Sequence, residues 1–352
     1  MKAAVMVAMS GGVDSSVAAY LLKLEGYDVA GVTMCLGIAN PPAGGKLCCS
    51  PQDMDDARRV CRYLDIPHYV LDYSEEFERI VIAYFINEYL SGRTPNPCVL
   101  CNRHLKFGTL LDTTRALGFK AMATGHYARI DDSGGSPILK RARDRIKDQS
   151  YFLYSIQQER LAHILFPLGD LNKEGVRDVA RRAGIPVAEK KESQDVCFVT
   201  GGDTKSFFSS RGIQVKSGDI IDTNGNKVGT HDGIVQFTIG QRRGLGGGFE
   251  HPLYVIGINA EHNTLVVGGK DQLGSRGMVV DDINILFNYI PLTAQVKTRH
   301  ASIEVPCRIE RIGGVFNIYF KRPHEAVTPG QSAVFYHGDS VIAGGIIQRA
   351  IR

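Results

Sequence analysis

The sequence predicts an α/β doubly wound parallel-sheet domain, then a small β-rich central domain and a C-terminal β-barrel-like domain, with limits at 1–203, 204–273 and 274–352. Three observations lead there. A short unbroken apolar run, Ala3 to Met9, reads as a buried parallel strand and feeds a glycine turn that opens a helix. Strand-like and helix-like stretches then alternate, as βαβ units require. Around residue 204 helical periods give way to short alternating runs punctuated by glycine, the texture of small sheets and barrels.

Composition bounds the function classes. At 352 residues the chain has room for two or three domains with ample core. No apolar run reaches the ~18–20 residues needed to span a bilayer, and the first strand begins too early to leave room for a signal or transit peptide. A cytoplasmic protein without a membrane partner is expected. Eight cysteines, at 35, 48, 49, 61, 98, 101, 197 and 307, are too few and too irregular for a secreted disulfide framework. They are core residues, metal ligands or reactive thiols. The formal net charge of +4 permits a nucleic-acid partner without demanding one.

The first turn is Ser10-Gly11-Gly12-Val13-Asp14-Ser15-Ser16-Val17. Apolar residues at helical spacing continue to Leu24 and stop at Gly26. The glycines therefore sit where a strand meets a helix N-terminus, and free N–H groups there favour a phosphate. Serines 10, 15 and 16 add hydroxyl donors. The lysine of a kinase-type G-x-x-x-x-G-K-[ST] loop is missing.

Tyr27–Met34 reads as the second strand, with Met34 at its carboxyl end placed to meet an adenine. A long loop, Cys35 to Ser50, precedes a helix to about Leu64 and a strand at His68–Asp72. Cys48, Cys49 and Cys61 read as structural, because adjacent cysteines are poor joint ligands for one ion. A helix over Ser74 to Leu90 ends at Gly92. In Arg93 to Asn102 the prolines at 95 and 97 predict a stiff exposed loop presenting Cys98 and Cys101, with the next helix opening at Lys106-Phe107. Lys120–Thr124 is a further strand ending in Gly125-His126-Tyr127; His126 reads equally as a satisfied structural histidine or a substrate contact. Asp132 to Ser136 is a surface turn. Lys140, Arg141, Arg143, Arg145 and Lys147 form a basic run, and Lys173–Ala183 a basic helix; each is a solvated face unless the fold gathers the charges on one surface.

In the glycine-rich half, Asn224-Gly225 is a hairpin signal, and Gly240 to Gly248 predicts a flexible basic loop. Ala294–Thr298, Val305–Ile312, Val315–Phe320 and Ser332–Tyr336 read as strands of a small barrel.

The string S-G-G-V-D-S-S resembles the PP-loop of the ATP pyrophosphatases. That implies ATP binding, release of pyrophosphate and transfer of AMP to an oxygen of the substrate, with Asp14 holding Mg²⁺ or orienting the phosphates. Six further motifs follow in order: T-P-N-P-x-x-x-C-N from Thr94, A-T-G-H-Y from Ala123, K-D-Q-S-Y-F-L from Lys147, V-C-F around Cys197, G-Q-R-x-G-L-G from Gly240 and T-P-G-Q-S-A-V-F-Y from Thr328. The ordered set, spread over essentially the whole chain, resembles the bacterial tRNA 2-thiouridylase family.

The resemblance implies adenylation of the C2 oxygen of a wobble uridine and its replacement by sulfur. It assigns ATP contacts to Ala8, Met9, Ser10, Gly11, Gly12, Val13, Asp14, Ser15, Met34 and Gly125. Cys197 would accept sulfur as a persulfide from a sulfur-donor protein or cysteine desulfurase relay, and Cys101 would be the nucleophile that attacks it, freeing sulfide or closing a Cys101–Cys197 disulfide. Contacts to the tRNA anticodon stem-loop map to Asn96, Pro97 and Cys98 at the target base, then to His126, Lys147, Asp148, Gln149, Arg299, His300 and Gln331. Many family members carry aspartate where this chain has Cys98. With Cys101 and Cys197, that thiol could ligate a 4Fe–4S cluster, or it could be a tolerated neighbour. A small-molecule AMP-forming synthetase or amidotransferase would share the phosphate turn without needing the thiol pair. An RNA-binding module with a degenerate nucleotide fold would need neither.

Overall fold

A computed structural model of the chain describes residues 2–37, 51–191, 196–199, 203–247, 250–287 and 289–352. In chain order, the first half holds β1 (Ala4–Ala8), α1 (Val13–Leu24), β2 (Asp28–Cys35), α2 (Pro51–Tyr63) and β3 (His68–Asp72). Then come α3 (Ser74–Phe77), a π-helical stretch (Glu78–Ile82) and α4 (Ala83–Leu90). A second composite helix follows, α5 (Pro97–Leu100), a π-helical stretch (Cys101–Leu110) and α6 (Leu111–Ala116). After it lie β4 (Ala121–Thr124), β5 (Ala128–Asp131), β6 (Ile138–Arg141), α7 (Ser150–Leu153), β7 (Ile164–Leu165) and α8 (Lys173–Arg182).

The strands order as β3-β2-β1-β4-β7, with every neighbouring pair parallel. β1 is central because it can be: Val5, Met6 and Val7 are buried on both faces. Met6 joins one apolar cluster, while Val5 and Val7 join the other with Val13 and Val17 of α1. The chain moves outward from β1 to β2 and β3, then returns to β4 on β1's other side. The carboxyl ends of β1 and β4 therefore flank the switch point where open α/β sheets bind ligands.

α9 (Thr204–Ser210) leads into β8 (Gly218–Ile221), β9 (Lys227–His231), β10 (Tyr254–Asn259) and β11 (Thr264–Gly268), which order as β10-β11-β8-β9. Gly225 takes a φ of 87° in the β8–β9 hairpin, and Asp222 accepts the N–H groups of Asn224 and Asn226. The loop predicted to be flexible is pinned at its start. Gly240 N–H donates to Val255, Val255 N–H returns a bond to Gln241, and Leu245 is buried.

The last six strands are β12 (Gly274–Ile285), β13 (Thr293–Lys297), β14 (Val305–Ile312), β15 (Val315–Glu325), β16 (Ser332–His337) and β17 (Ser340–Ile351). They run antiparallel in the order β12-β15-β14-β13-β16-β17, and β12 pairs with β17 to close the barrel. β12 and β17 go beyond the four strands predicted. The β5–β6 hairpin of the first half also joins this sheet, through Lys140 opposite Ser340.

One prediction about the thiol segment is corrected. Arg93 to Asn102 is not a stiff exposed loop up to Lys106, because a helix opens at Pro97 and carries both cysteines. Proline's missing N–H costs nothing in a first helical turn, where no intrahelical acceptor exists. The helix continues to Ala116, with a break at Gly108 (φ −97°, ψ −106°). Cys48, Cys49 and most of the Cys35–Ser50 loop lie outside the described residues.

Candidate active site

The phosphate turn is built by close approach. Gly11 takes a φ of 69°, and a Cβ on it would overlap the Asp53 carbonyl of α2. Gly12 caps α1 in an extended conformation, and its carbonyl accepts from Ser15 Oγ (3.2 Å) and Ser16 Oγ (2.8 Å). Ser15 Oγ in turn accepts from the Ser10 N–H at 3.2 Å. On the other side of the sheet's switch point, a Cβ on Gly125 would lie 2.6 Å from the Ser15 nitrogen. The end of β4 is thus pressed against the first turn of α1. Met9 and Val13 are buried beneath, Ser10 is exposed, and Met34 at the end of β2 is buried in the cluster that also holds Cys101.

Asp14 does not stand alone. Its Oδ1 accepts from Tyr127 O–H at 2.8 Å, and Lys173 Nζ lies 2.7 Å from Oδ1 and 2.9 Å from Oδ2. A second cation, Lys190, donates to the Gly11 carbonyl (3.0 Å) and to the carboxylates of Asp53 and Asp56 (2.6 Å each). Burial pulls the Lys190 ammonium down, but these carboxylates outweigh it and hold its pKa above the ordinary lysine value. The sequence did not mark Tyr127, Lys173 or Lys190. Two of them arrive from more than 150 residues away, and nothing in a basic helix or a Lys-Lys pair distinguishes them from solvated charge.

The thiols occupy unlike places. Asn96 precedes the helix that Pro97 opens, Cys98 is exposed, and Cys101 one turn on is 8% exposed. Cys197 is half-buried, and Val196, Cys197 and Phe198 pack with the same apolar cluster as Cys101. Phe198 stacks edge-on against Phe77 and Phe85. Burial pushes Cys61 and Cys307 up to about 12, so neither is a ready nucleophile at neutral pH. Among the described residues no three His, Cys, Asp or Glu side chains gather to hold a metal ion. Cys98, Cys101 and Cys197 therefore do not form a ready-made set for a 4Fe–4S cluster.

The comparisons with known proteins cover the whole chain. Residues 3–201 match the tRNA methyl transferase HUP domain family, 205–269 the tRNA methyl transferase PRC-barrel domain family, and 275–347 the aminomethyltransferase beta-barrel domain family. A tRNA-specific 2-thiouridylase MnmA of Syntrophus aciditrophicus is 49% identical over 100% of this chain and 94% of its own length. One from Moorella thermoacetica is 49% identical over 97% of this chain and 99% of its own, and one from Geobacter metallireducens 47% identical over 99% and 97%. The chain belongs to the tRNA-specific 2-thiouridylase family.

The positions to which the family resemblance assigned RNA contacts are mostly tied to other parts of the protein. The Arg299 guanidinium donates to the carbonyls of Ile239 (2.6 Å) and Ala326 (2.9 Å) and to the Thr328 hydroxyl. Burial lowers its pKa from the ordinary arginine value. Gln331 Nε2 donates to the carbonyls of Thr94 (3.0 Å) and Pro95 (3.2 Å), while Thr94 N–H donates to Pro329 at 2.9 Å. The barrel thus holds the turn immediately before Asn96. Asp148 is buried, accepting from Ala142 N–H (2.9 Å) and Ser150 Oγ (2.8 Å), and its own carbonyl faces His300 Nε2 at 3.2 Å. Gln149 Oε1 accepts the Tyr127 N–H at 2.9 Å. Lys147 is half-buried beside the exposed Ile146.

His126 joins the two ends of the site. Its Nδ1 lies 2.7 Å from Thr124 Oγ1, and its ring packs on Phe107, a residue of the cysteine-bearing helix, with centroids 5.8 Å apart. Burial, then the nearby Lys106, hold its pKa well below the ordinary histidine value.

Proposed function

We propose that this chain is an ATP-dependent tRNA uridine 2-sulfurtransferase in which residues 1–203 carry the chemistry and 204–273 and 274–352 help to hold the RNA. Membership of the family, with an intact PP-loop, implies that the chain binds ATP and acts on tRNA. The observation that carries the reading is the shared cluster: Met34 at the nucleotide end, Cys101 and the Cys197 segment all pack in one apolar core.

The turn from Ser10 to Ser15 holds the triphosphate through backbone N–H groups and hydroxyls, with Gly125 and Met34 bounding the nucleotide. The uridine C2 oxygen attacks the α-phosphorus, the bond from that phosphorus to the β-phosphate bridge breaks, and pyrophosphate departs with the electron pair. The adenylated oxygen is now a leaving group. The terminal sulfur of a Cys197 persulfide attacks C2 and AMP leaves. The Cys101 thiolate attacks Cys197 Sγ, breaking the S–S bond so that the sulfur stays on the base. The resulting Cys101–Cys197 disulfide is reset by a thiol reductant. The persulfide comes from a donor protein or a cysteine desulfurase relay.

Asp14, a hard oxygen donor at the turn, fits a Mg²⁺ accompanying ATP, which would neutralise phosphate charge. The three thiols are not gathered to hold a cluster in this structure, and no step runs through one. Asn96, Pro97 and Cys98 face the target base. Gln331 and Arg299 act as positioning residues that set the helix and the barrel around it.

Nucleoside mass spectrometry of tRNA from a strain lacking this gene tests the reading. The expected result is loss of 2-thiouridine, restored by the wild-type chain. Unchanged 2-thiouridine, with no tRNA-dependent pyrophosphate release by the purified protein, would overturn it.

A further inference from the structure

A triphosphate site needs cationic charge, and the turn from Ser10 to Val17 contains no lysine or arginine. The structure supplies one from a distant helix. Lys173 is the first residue of α8, whose N-terminus is capped by Asn172 Oδ1 accepting from Gly175 N–H at 2.8 Å. Its own N–H donates to Asp144 at 3.1 Å, and Val176 and Ala180 of α8 pack in one cluster with Val13 and Val17 of α1. The base of the side chain is therefore fixed. The Lys173 side chain is only 12% exposed, and its ammonium ends on Asp14, in the first turn of α1. Lys190 serves a different purpose, bracketed by two carboxylates and the Gly11 carbonyl. Lys173 instead meets Asp14, the acidic residue of the turn itself, whose Oδ1 also accepts from the Tyr127 hydroxyl.

We propose that Lys173 is a catalytic residue of the adenylation step, taking the place of the lysine that the turn lacks. When ATP occupies the turn, the ammonium exchanges Asp14 for oxygens of the β-phosphate. As the substrate oxygen bonds to the α-phosphorus and the bridging bond breaks, the electron pair passes to pyrophosphate, and Lys173 stays protonated while neutralising it. The proposal rests on the reading of the turn as an ATP site that releases pyrophosphate, and it does not depend on the identity of the acceptor.

The test titrates inorganic pyrophosphate and AMP separately into wild type, Lys173→Met and Lys173→Arg, by calorimetry without tRNA. Lys173→Met should weaken pyrophosphate about 10- to 100-fold and leave AMP within twofold, with Lys173→Arg recovering part of the loss. In turnover assays Lys173→Met should lower kcat about 10²- to 10³-fold, the usual loss for one transition-state charge stabiliser. Pyrophosphate affinity within twofold of wild type would overturn the proposal. If Lys173→Met loses both ligands, the double variant Asp14→Asn/Lys173→Met removes the orphaned carboxylate and decides. AMP binding restored without pyrophosphate supports the proposal; recovery of both, or of neither, makes Lys173 a structural partner of Asp14 and overturns it. Selective loss of pyrophosphate in a protein that makes no 2-thiouridine would instead remove the sulfurtransferase reading and leave Lys173 in place.

Discussion

The phosphate end and the thiol end of this site are built in opposite ways. At the phosphate end the side chains around the turn are tied to the protein: Ser15 and Ser16 on Gly12, Tyr127 and Lys173 on Asp14, Lys190 on Gly11. The turn follows β1 and is held from α2, α8 and the end of β4. Such a site is organised before ATP arrives, so binding need not order it. At the thiol end, Cys98 is exposed, Cys101 is buried one helical turn away, and Cys197 lies half-buried. If Cys101 is the nucleophile proposed above, its thiol must be uncovered before it attacks, whereas the proposed nucleotide end needs no such step.

The sharpest way to break that comparison is to remove one end and watch the other. Cys101→Ser and Cys197→Ser should each abolish 2-thiouridine formation while tRNA-dependent pyrophosphate release continues near the wild-type rate. If release falls with thiolation, the ends are coupled and the contrast fails. In the reverse experiment, Asp14→Asn should lower kcat for pyrophosphate release about 10²- to 10³-fold. Persulfide loading of Cys197, seen as one added sulfur on its peptide, should be unchanged. Near-normal turnover by Asp14→Asn would remove the carboxylate from the phosphate site.

What the sequence disclosed about the two ends differs for the same physical reason. The turn after β1 is a local object: strand, two glycines, serines and helix are contiguous, so its place at a strand-to-helix junction was readable from Ala3 to Leu24. The parallel sheet and the β-rich halves were readable too, because periodicity and glycine spacing are local. Lys173, Lys190 and Tyr127 were not, since only the fold brings them to Asp14 and Gly11. At the thiol end the two prolines misled. Pro97 looked like a helix breaker but occupies the one turn that tolerates it, and Cys101 is buried as a result. The family pattern pointed to Arg299 and Gln331 as RNA contacts. Their hydrogen bonds run to Ile239, Ala326, Thr94 and Pro95, pairings between residues far apart in sequence that no motif encodes.

Those pairings sharpen the comparison, because Gln331 bonds to the turn before Asn96 and Arg299 joins the barrel to Ile239. Arg299→Ala removes a charged donor from two part-buried carbonyls and should cost about 2–3 kcal/mol in denaturant unfolding. Gln331→Ala, losing two bonds to the turn before Asn96, should cost about 1–2 kcal/mol. Both should slow thiolation and leave ATP affinity unchanged. If either weakens ATP as much as it slows thiolation, the barrel supports the phosphate end too, and the division between the ends is less sharp than the bonding suggests.

The smallest expected effect concerns the joint between the ends. His126 follows Gly125 at the end of β4, and its ring lies on Phe107 of the cysteine-bearing helix and Phe166. Burial first, and Lys106 second, keep its pKa well below 6.5 in the folded protein, whereas the unfolded chain protonates near 6.5. Below that pH the unfolded state therefore binds more protons than the native state, and stability falls as pH falls. His68, His104, His231 and His324 are shifted the same way, mainly by burial, so wild type should lose stability steadily from pH 6.5 toward 5. Asp56 and Asp203, whose pKa values are lowered, lose their contribution only below about 3.8 and do not enter this window. His126→Asn keeps a polar atom near Thr124 Oγ1 and removes one titrating group. Its urea midpoint should fall less steeply between pH 6.5 and 5, by at most one proton, or about 1.4 kcal/mol per pH unit. An unchanged slope would mean that the histidine protonates in place. The contact with Phe107 would then be too loose to tie the phosphate end to the helix that carries Cys101.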